Sequence, residues 1–120
     1  MILEEMLRKS YREIDALIEK HVFGNDVKWI KDSVRGHFPI IDQTGKEVPL
    51  YSDDISTAWK ILEKPEIMDR YQIGVYPTSF VKWIARPFMP GGRDCTVQAD
   101  TAPEAICKCV LLAVLGEEEA

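Results

Sequence analysis

The chain has 120 residues, the size of one domain with one hydrophobic core, and we treat residues 1–120 as a single unit. Hydrophobic residues make up 46% and charged residues 29%, a composition that excludes both a disordered chain and one embedded in a membrane. The net charge of −5 argues against a general nucleic-acid coat, because such proteins neutralise phosphates with clustered Lys and Arg.

The N-terminus and the cysteines both predict a cytoplasmic protein. Residues 4–9 include four charged side chains, so they lack the apolar segment of a secretory signal. Three cysteines, an odd number, do not form a disulfide framework. Cys107 and Cys109 point about 200° apart on a predicted helix, so they cannot chelate one metal ion together. We interpret the cysteines as buried structural thiols.

The first main helix is predicted from a cap and from helical spacing. Ser10 and Glu13 have the spacing of a capping box, so the helix is expected to begin there, after a short lead-in turn, and to end near Phe23. Apolar residues recur on the face assigned to the core: Ile14, Leu17, Ile18 and Val22. Polar residues fill the face assigned to solvent: Arg12, Asp15, Glu19 and Lys20.

The segment from Asp26 to Tyr51 has an irregular pattern that glycine and proline interrupt. Within it, Asp42 to Glu47 has the composition of a hairpin turn between two short extended pieces. Two interpretations of this long connection remain open. It builds binding specificity, or it is a loop whose sequence varies freely.

A second helix is predicted from Tyr51 to Lys64. Ser52 or Asp53 can cap it, and Pro65 ends it. Its core-facing stripe consists of four residues: Ile55, Ala58, Trp59 and Leu62. The pair Asp53 and Asp54 is also compatible with acid–base chemistry or a metal site. We assign it to the positive end of the helix dipole, which accounts for both residues.

Alternating apolar residues predict three strands joined as antiparallel hairpins. The alternating positions are Tyr71, Ile73 and Val75, then Val81, Trp83 and Ala85, then Cys95, Val97 and Ala99. Turns are expected at residues 77–79 and 89–94. Gly91 and Gly92 in the second turn lack the Lys-Ser or Lys-Thr of a phosphate-binding loop, so we assign a plain turn.

The last helix is predicted to begin at about Ala102. Thr101 and Glu104 have the spacing of a capping box, in which the Thr101 hydroxyl accepts a hydrogen bond from a backbone N–H of the first turn. Pro103 suits that turn. Backbone N–H groups in the first turn of a helix have no acceptor within the helix, so a proline without an N–H loses no hydrogen bond there.

This helix has no polar face of ordinary width, because Lys108 is the one charged residue between 105 and 115. We expect it to be buried on two sides. It is too short to cross a bilayer, which needs about 20 apolar residues. We expect the helix to end at Gly116 and residues 117–120 to form a disordered tail.

The order of the elements is helix, short β hairpin, helix, three strands and helix, which is not a βαβ repeat. It predicts an α+β fold in which an antiparallel sheet of three to four strands packs with three helices, like a sandwich.

Three motifs occur in order along most of the chain: IDALIEKHVFG (Ile14 to Gly24), YSDDISTAW (Tyr51 to Trp59) and QADTAPEAIC (Gln98 to Cys107). Together they resemble the phage ABA sandwich domain, a family of small proteins from phages, prophages and bacterial genomes. The resemblance implies a compact α/β sandwich, a phage or prophage origin in a bacterial host cell, and no established activity or catalytic residues. The chain departs from the family pattern in its longer segment Asp26 to Pro49.

The residues indicate no catalytic, cofactor or metal site. We find no motif for a nucleophile with a base or for a working carboxylate pair. His21 and His37 lack Cys or His partners at ligand spacing. We therefore expect a protein that is not an enzyme and binds no cofactor.

The first functional hypothesis is a phage-encoded protein-binding or adaptor module, whose partner is another protein or a second copy of the chain. The apolar last helix motivates a homodimer, because such a helix must be covered. In the alternative, the first helix and the sheet cover it within one monomer. The candidate partner or ligand surface combines the exposed face of the strands with the irregular segment: Tyr76, Lys82, Arg86, Arg93, Trp29 and His37.

The second hypothesis is a small-molecule binder for a nucleotide-like signal. Cations and aromatic residues around the strands suit phosphates and bases. Alternation places Trp83 on the core face, however, away from Lys82 and Arg86. Nucleic-acid binding ranks third, and we expect no membrane partner.

Overall fold

The computed structural model describes residues 3–78, 82–88 and 95–118. Its helices are α1 (Leu3–Leu7), α2 (Tyr11–His21), α3 (Ile55–Glu63), α4 (Pro65–Tyr71) and α5 (Ala102–Glu118). Its strands are β1 (Val27–Asp32), β2 (Gly36–Ile41), β3 (Ile73–Pro77), β4 (Trp83–Pro87) and β5 (Val97–Ala99). The predicted α+β class is confirmed, although the described residues form five helices rather than three and two antiparallel sheets rather than one.

Helix α5 lies at the centre of the fold, as its lack of a polar face predicts. Helices α2 and α3 contact it, and so do the strands β3, β4 and β5. Ile106, Cys107 and Val110 join one apolar cluster with the helices, while Ala105 and Cys109 join a second cluster with the sheet. All three cysteines are buried, as predicted. Because α5 is covered within one monomer, it no longer supplies a reason for a dimer.

The start of α5 follows the prediction and its end does not. Thr101 Oγ1 accepts a hydrogen bond from the Glu104 N–H at 3.3 Å, as one half of the predicted capping box requires. The helix passes Gly116 and ends at Glu118. A glycine inside a helix costs only about 1 kcal/mol, and the neighbouring Leu115 is buried in the core. Residues 117 and 118 of the predicted tail are therefore helical, and residues 119–120 lie outside the described part.

The three predicted strands form one antiparallel sheet in the order β3-β4-β5. Val75 lies opposite Ala85, which lies opposite Val97, and these side chains pack in the apolar cluster that includes one side of α5. Strand β3 begins at Ile73 rather than at Tyr71, which ends α4. Val81 and the predicted turn at 89–94 fall outside the described residues.

The irregular segment forms a second antiparallel sheet. Strands β1 and β2, six residues each, pair along their whole length. Asp32 closes the turn between them, since its Oδ1 accepts a hydrogen bond from the Val34 N–H at 2.7 Å. The predicted turn Asp42–Glu47 follows β2, where the Ile41 N–H donates to the Lys46 carbonyl at 2.7 Å.

Helix α3 is shorter than predicted, and a separate helix follows it. Its cap is Asp54, whose carboxylate accepts a hydrogen bond from the Ser56 N–H at 2.9 Å. The predicted cap, Ser52 or Asp53, is therefore wrong by one or two residues, whereas the helix-start role assigned to Asp54 is confirmed. Pro65 stands at the beginning of α4, where a proline without an N–H is favourable.

The core-facing stripe predicted for α3 is wrong at two positions. Ala58 is fully buried, but Ile55 and Trp59 are 47% and 51% exposed. The second fully buried residue of α3 is Ile61, which the prediction did not include. The reason is that this short helix packs on α5 and α4. These two helices cover the side with Ala58 and Ile61 and leave Ile55 and Trp59 partly exposed to water.

Two carboxylates assigned to the solvent face of α2 are buried. Asp15 and Glu19 are 0% and 2% exposed. The Ser52 N–H donates to Asp15 Oδ1 at 2.7 Å, and the Tyr51 hydroxyl donates to Glu19 Oε1 at 2.8 Å. Periodicity fails here because it treats every polar side chain as solvated, whereas these two accept hydrogen bonds from the segment before α3.

Arg12 ties the same segment to α2. Its guanidinium donates to Asp15 at 2.7 Å, to Glu47 at 3.1 Å and to the Val48 carbonyl at 2.8 Å. Burial raises the pKa of Asp15, and the hydrogen bond from Ser52 and the charge of Arg12 act in the opposite direction. The charged carboxylate therefore depends on these partners.

Replacing the buried carboxylate should cost a large part of the stability. We expect Asp15→Ala to lower the free energy of unfolding by about 2–4 kcal/mol, because it leaves the buried Ser52 N–H without its acceptor and removes one of the acceptors of Arg12. Urea unfolding measures the loss. The control is Asp26→Ala at an exposed position, with an expected change within about 0.5 kcal/mol. Equal effects of the two substitutions would contradict the role given to Asp15.

Tyr51 should make the folded protein sensitive to alkaline pH. Burial and the hydrogen bond to Glu19 raise the pKa of Tyr51 above its ordinary value of 10.0. The contribution of Tyr51 to the free energy of unfolding is fully present below pH 10.0. It is lost as pH rises from that value toward the folded-state pKa, because in this range only the unfolded chain releases the tyrosine proton. The loss is at most about 1.4 kcal/mol per pH unit.

Tyr51→Phe should therefore flatten the decline of stability above about pH 10. Urea unfolding of both proteins at several alkaline pH values gives the two slopes. The other tyrosines and the lysines are common to both proteins, so identical slopes would show that Tyr51 is not linked to the proton balance.

Candidate functional site

Exposed apolar side chains are concentrated on both sides of strand β3. Five of them are each between 37% and 54% exposed: Ile55, Trp59, Met68, Tyr76 and Phe88. We call this set, together with the backbone edge of β3, the β3-edge surface. Single exposed apolar residues are normal on a protein, but a group of this kind typically marks an interaction site.

Trp59 separates two apolar grooves that both reach β3. The first has a volume of about 320 Å³ and is lined by Trp59, Met68 and Ile73 among others. The second has a volume of about 510 Å³ and includes Trp59, Val75 and Trp83 beside the start of α5. Side chains in strands alternate between the two faces of a sheet. Ile73 and Val75 therefore share one face of the sheet. A chain running along β3 would place every second side chain on this face, next to the two grooves.

Within residues 3–78, 82–88 and 95–118, the outer backbone edge of β3 is open. In the described part of the chain the sheet ends at β3, with no further strand beyond it. The Thr78 N–H donates to the Lys82 carbonyl at 2.7 Å, and the Phe88 N–H donates to the Gln72 carbonyl at 3.1 Å. Because hydrogen-bonded pairs alternate in an antiparallel ladder, the even-numbered residues of β3 face β4. The backbone groups of residues 73, 75 and 77 point to the open edge.

Aromatic side chains cover the outer face of the sheet next to this edge. Gly74 leaves room for the Phe88 ring, since a Cβ atom at residue 74 would lie 2.2 Å from Phe88 Cε2. The Arg86 guanidinium lies 5.0 Å from the centroid of the same ring. Tyr76 stands on this face as well, diagonally across from Arg86.

The structure brings together two of the residues selected from the sequence, Tyr76 and Arg86. Lys82 lies just before β4 and forms an ion pair with Asp100. Trp83 lies on the opposite face, as the alternation predicts, and lines the second groove.

The remaining candidates lie elsewhere. Trp29 and His37 belong to the β1–β2 sheet, where Trp29 lies beside Leu17 of α2 and His37 is exposed. Arg93 falls outside the described residues.

Sequence reasoning missed four residues of the β3-edge surface: Ile55, Trp59, Met68 and Phe88. Ile55 and Trp59 fit a helical stripe, and a stripe does not reveal whether another element covers it. Met68 belongs to α4, a helix that is not predicted when Pro65 is interpreted only as the end of the preceding helix. A proline followed by Glu, Ile and Met is also compatible with a helix start, and this pattern predicts α4.

The described ranges show neither a metal cluster nor a membrane span. Residues 3–78, 82–88 and 95–118 contain no group of three or more His, Cys, Asp or Glu side chains that could hold a metal ion. Over the same ranges, every helix is too short or too polar to cross a membrane.

The fold and the surface together define a small α+β sandwich protein with one central buried helix. The chain belongs to the phage ABA sandwich domain family, whose model matches residues 16–111. The crystal structure of a phage protein from Bacillus cereus ATCC 14579 is similar, with 34% sequence identity and a TM-score of 0.64 over 88% of this chain and 93% of that chain. No curated protein matches. The resemblance drawn from the three motifs is confirmed.

Removing Trp59 should cost little stability, because about half of its side chain already contacts water. We expect Trp59→Ala to lower the free energy of unfolding by less than about 1 kcal/mol. Ile61→Ala, on the buried side of the same helix, should cost about 2–5 kcal/mol. Urea unfolding compares them. A Trp59→Ala loss as large as that of Ile61→Ala would place Trp59 in the core and remove it from the candidate site.

Proposed function

We propose that this protein is a phage- or prophage-encoded module that binds another protein chain and catalyses no reaction. It acts in the cytoplasm of the bacterial host, where its buried thiols stay reduced. The observation that carries the proposal is the β3-edge surface, in which half-exposed apolar side chains flank a strand with an open backbone edge.

An extended peptide segment is the kind of partner that fits this surface. A strand that adds to a sheet edge gains affinity from backbone hydrogen bonds and specificity from pockets for alternate side chains. Strand β3 offers the N–H groups of Ile73 and Val75, and the two grooves beside these residues receive apolar side chains. Trp59, between the grooves, has the properties of an interface anchor.

A nucleotide-like ligand, the main alternative, has less support. Lys82 is engaged with Asp100, and Arg86 stacks on Phe88. Both cations are therefore committed to neighbours, and Trp83 lies on the other face of the sheet. Nucleic-acid binding has less support again, because the described candidate cations do not form one basic patch with the aromatic residues.

The proposal is tested by capturing partners from host cells in which the phage or prophage is active. We expect wild-type protein to retain at least one cell or phage protein, and Trp59→Ala to reduce its capture at least about tenfold, as for an interface anchor. Quantitative mass spectrometry measures the difference, and titration with the purified partner gives both dissociation constants.

The control is Trp29→Ala, which removes a tryptophan of similar exposure from the other sheet. It should leave capture unchanged. Capture that survives Trp59→Ala, or that both substitutions reduce equally, would contradict binding through the β3-edge surface.

A further inference from the structure

Strand β3 is complementary to itself. We propose that a second copy of this chain occupies the β3-edge surface, so that two β3 strands pair antiparallel about a two-fold axis at Val75. The two three-stranded sheets then join into one sheet of six strands. This inference rests on the proposed function of the surface as a protein-binding site, and it names the partner.

The backbone groups at the open edge match one another in this arrangement. Val75 of one copy faces Val75 of the second copy, and each donates its N–H to the carbonyl of the other. Ile73 then faces Pro77 of the second copy, so the Ile73 N–H donates to the Pro77 carbonyl. Each N–H that points to the open edge finds an acceptor, and the pairing spans the full length of β3. Pro77, which has no N–H, requires no acceptor.

The outer-face side chains also fit the two-fold arrangement. Gly74 faces Tyr76 of the second copy as a non-hydrogen-bonded pair, in which side chains approach closely. The space above Gly74 is already occupied by the Phe88 ring, so the incoming Tyr76 packs against an exposed aromatic side chain. The same contact occurs twice in the dimer, and aromatic pairs of this kind are favourable.

Charge does not oppose the pairing. The segment Ile73–Pro77 has no charged residue, so two copies place no like charges opposite each other along the strands. Edge strands that do not pair with another chain usually contain an inward-pointing charged residue or a lysine. Strand β3 has neither.

The exposed area is of the size that a dimer needs. The five half-exposed apolar side chains of the β3-edge surface together expose on the order of 400–500 Å², given that a large side chain has about 150–250 Å². A standard interface buries about 800 Å² on each partner. The side chains supply half of this area or somewhat more, and the backbone of β3 and the groove walls contribute to the rest.

The mass in solution and one backbone donor test the proposal. Light scattering after size-exclusion chromatography should give twice the chain mass of 13.7 kDa for the wild-type protein at about 100 µM. Val75→Pro removes the N–H at the two-fold axis, which β4 does not use within one chain. It should raise the dimer dissociation constant about 10- to 100-fold relative to Val75→Ala, which keeps the donor.

Cross-linking tests the register without requiring that the proline variant folds. Val75→Cys places two thiols next to each other at the axis, so mild oxidation should give a disulfide-linked dimer. Gln98→Cys, on the opposite edge strand β5, should not cross-link. The native cysteines do not interfere, since all three are buried.

A monomeric wild-type protein overturns the proposal, even if the surface captures a foreign protein through Trp59, in which case the proposed function stands. A dimer that Val75→Pro does not weaken and that Val75→Cys does not cross-link also overturns it, because such a dimer uses another surface. A Val75-dependent dimer with no captured foreign protein supports the self-pairing alone.

Discussion

The fold depends on the contact between two buried carboxylates of α2 and the segment that precedes α3. A charged group away from water is tolerated only when partners replace its hydration. Asp15 and Glu19 therefore require the Ser52 N–H and the Tyr51 hydroxyl, and these bonds fix the path of the chain between the turn after β2 and α3. The Phe23 ring stacks on Tyr51 with centroids 5.2 Å apart, so an apolar contact closes the same junction.

A second polar junction holds α2 against α5. The Glu104 carboxylate accepts hydrogen bonds from the Tyr11 hydroxyl at 2.7 Å and from Lys108 Nζ at 2.5 Å. The hydrogen bond to Glu104 raises the pKa of Tyr11 to about 12. Lys108 is 4% exposed, and its pairing with Glu104 explains how an otherwise apolar helix accommodates a lysine without a solvated face. Helix α2 is thus fixed to two different elements through side chains that a hydrophobic pattern does not detect.

Local signals in the sequence predicted the elements that local chemistry determines. The capping box of Ser10 and Glu13 is complete, with both hydrogen bonds present. The apolar composition of α5 predicted its burial, and alternation predicted the three strands. The burial of Asp15 could not be predicted in this way, because its hydrogen-bond donor at Ser52 lies 37 residues further along the chain. The exposure of Trp59 is a similar case, since only the tertiary packing of α3 decides which side of the helix is covered.

The two edges of the three-stranded sheet show why the candidate site lies where it does. Strand β5 has three residues and an exposed Gln98, and a short polar edge resists pairing with other chains. Strand β3 has five residues and no charge, with Pro77 at its end as the single protective feature among those usual for edges. The less protected edge is also the one beside Trp59.

Trp59 reaches that position through the polar junction of α2. Ser52 and Tyr51, which the two carboxylates hold, stand just before the Asp54 cap of α3, so they set where this helix begins. Ala58 and Ile61 then pack into the core, and Trp59, on the next part of the helix surface, emerges between the two grooves beside β3. The buried charges that determine the fold therefore also place the apolar anchor of the binding surface, without contacting it.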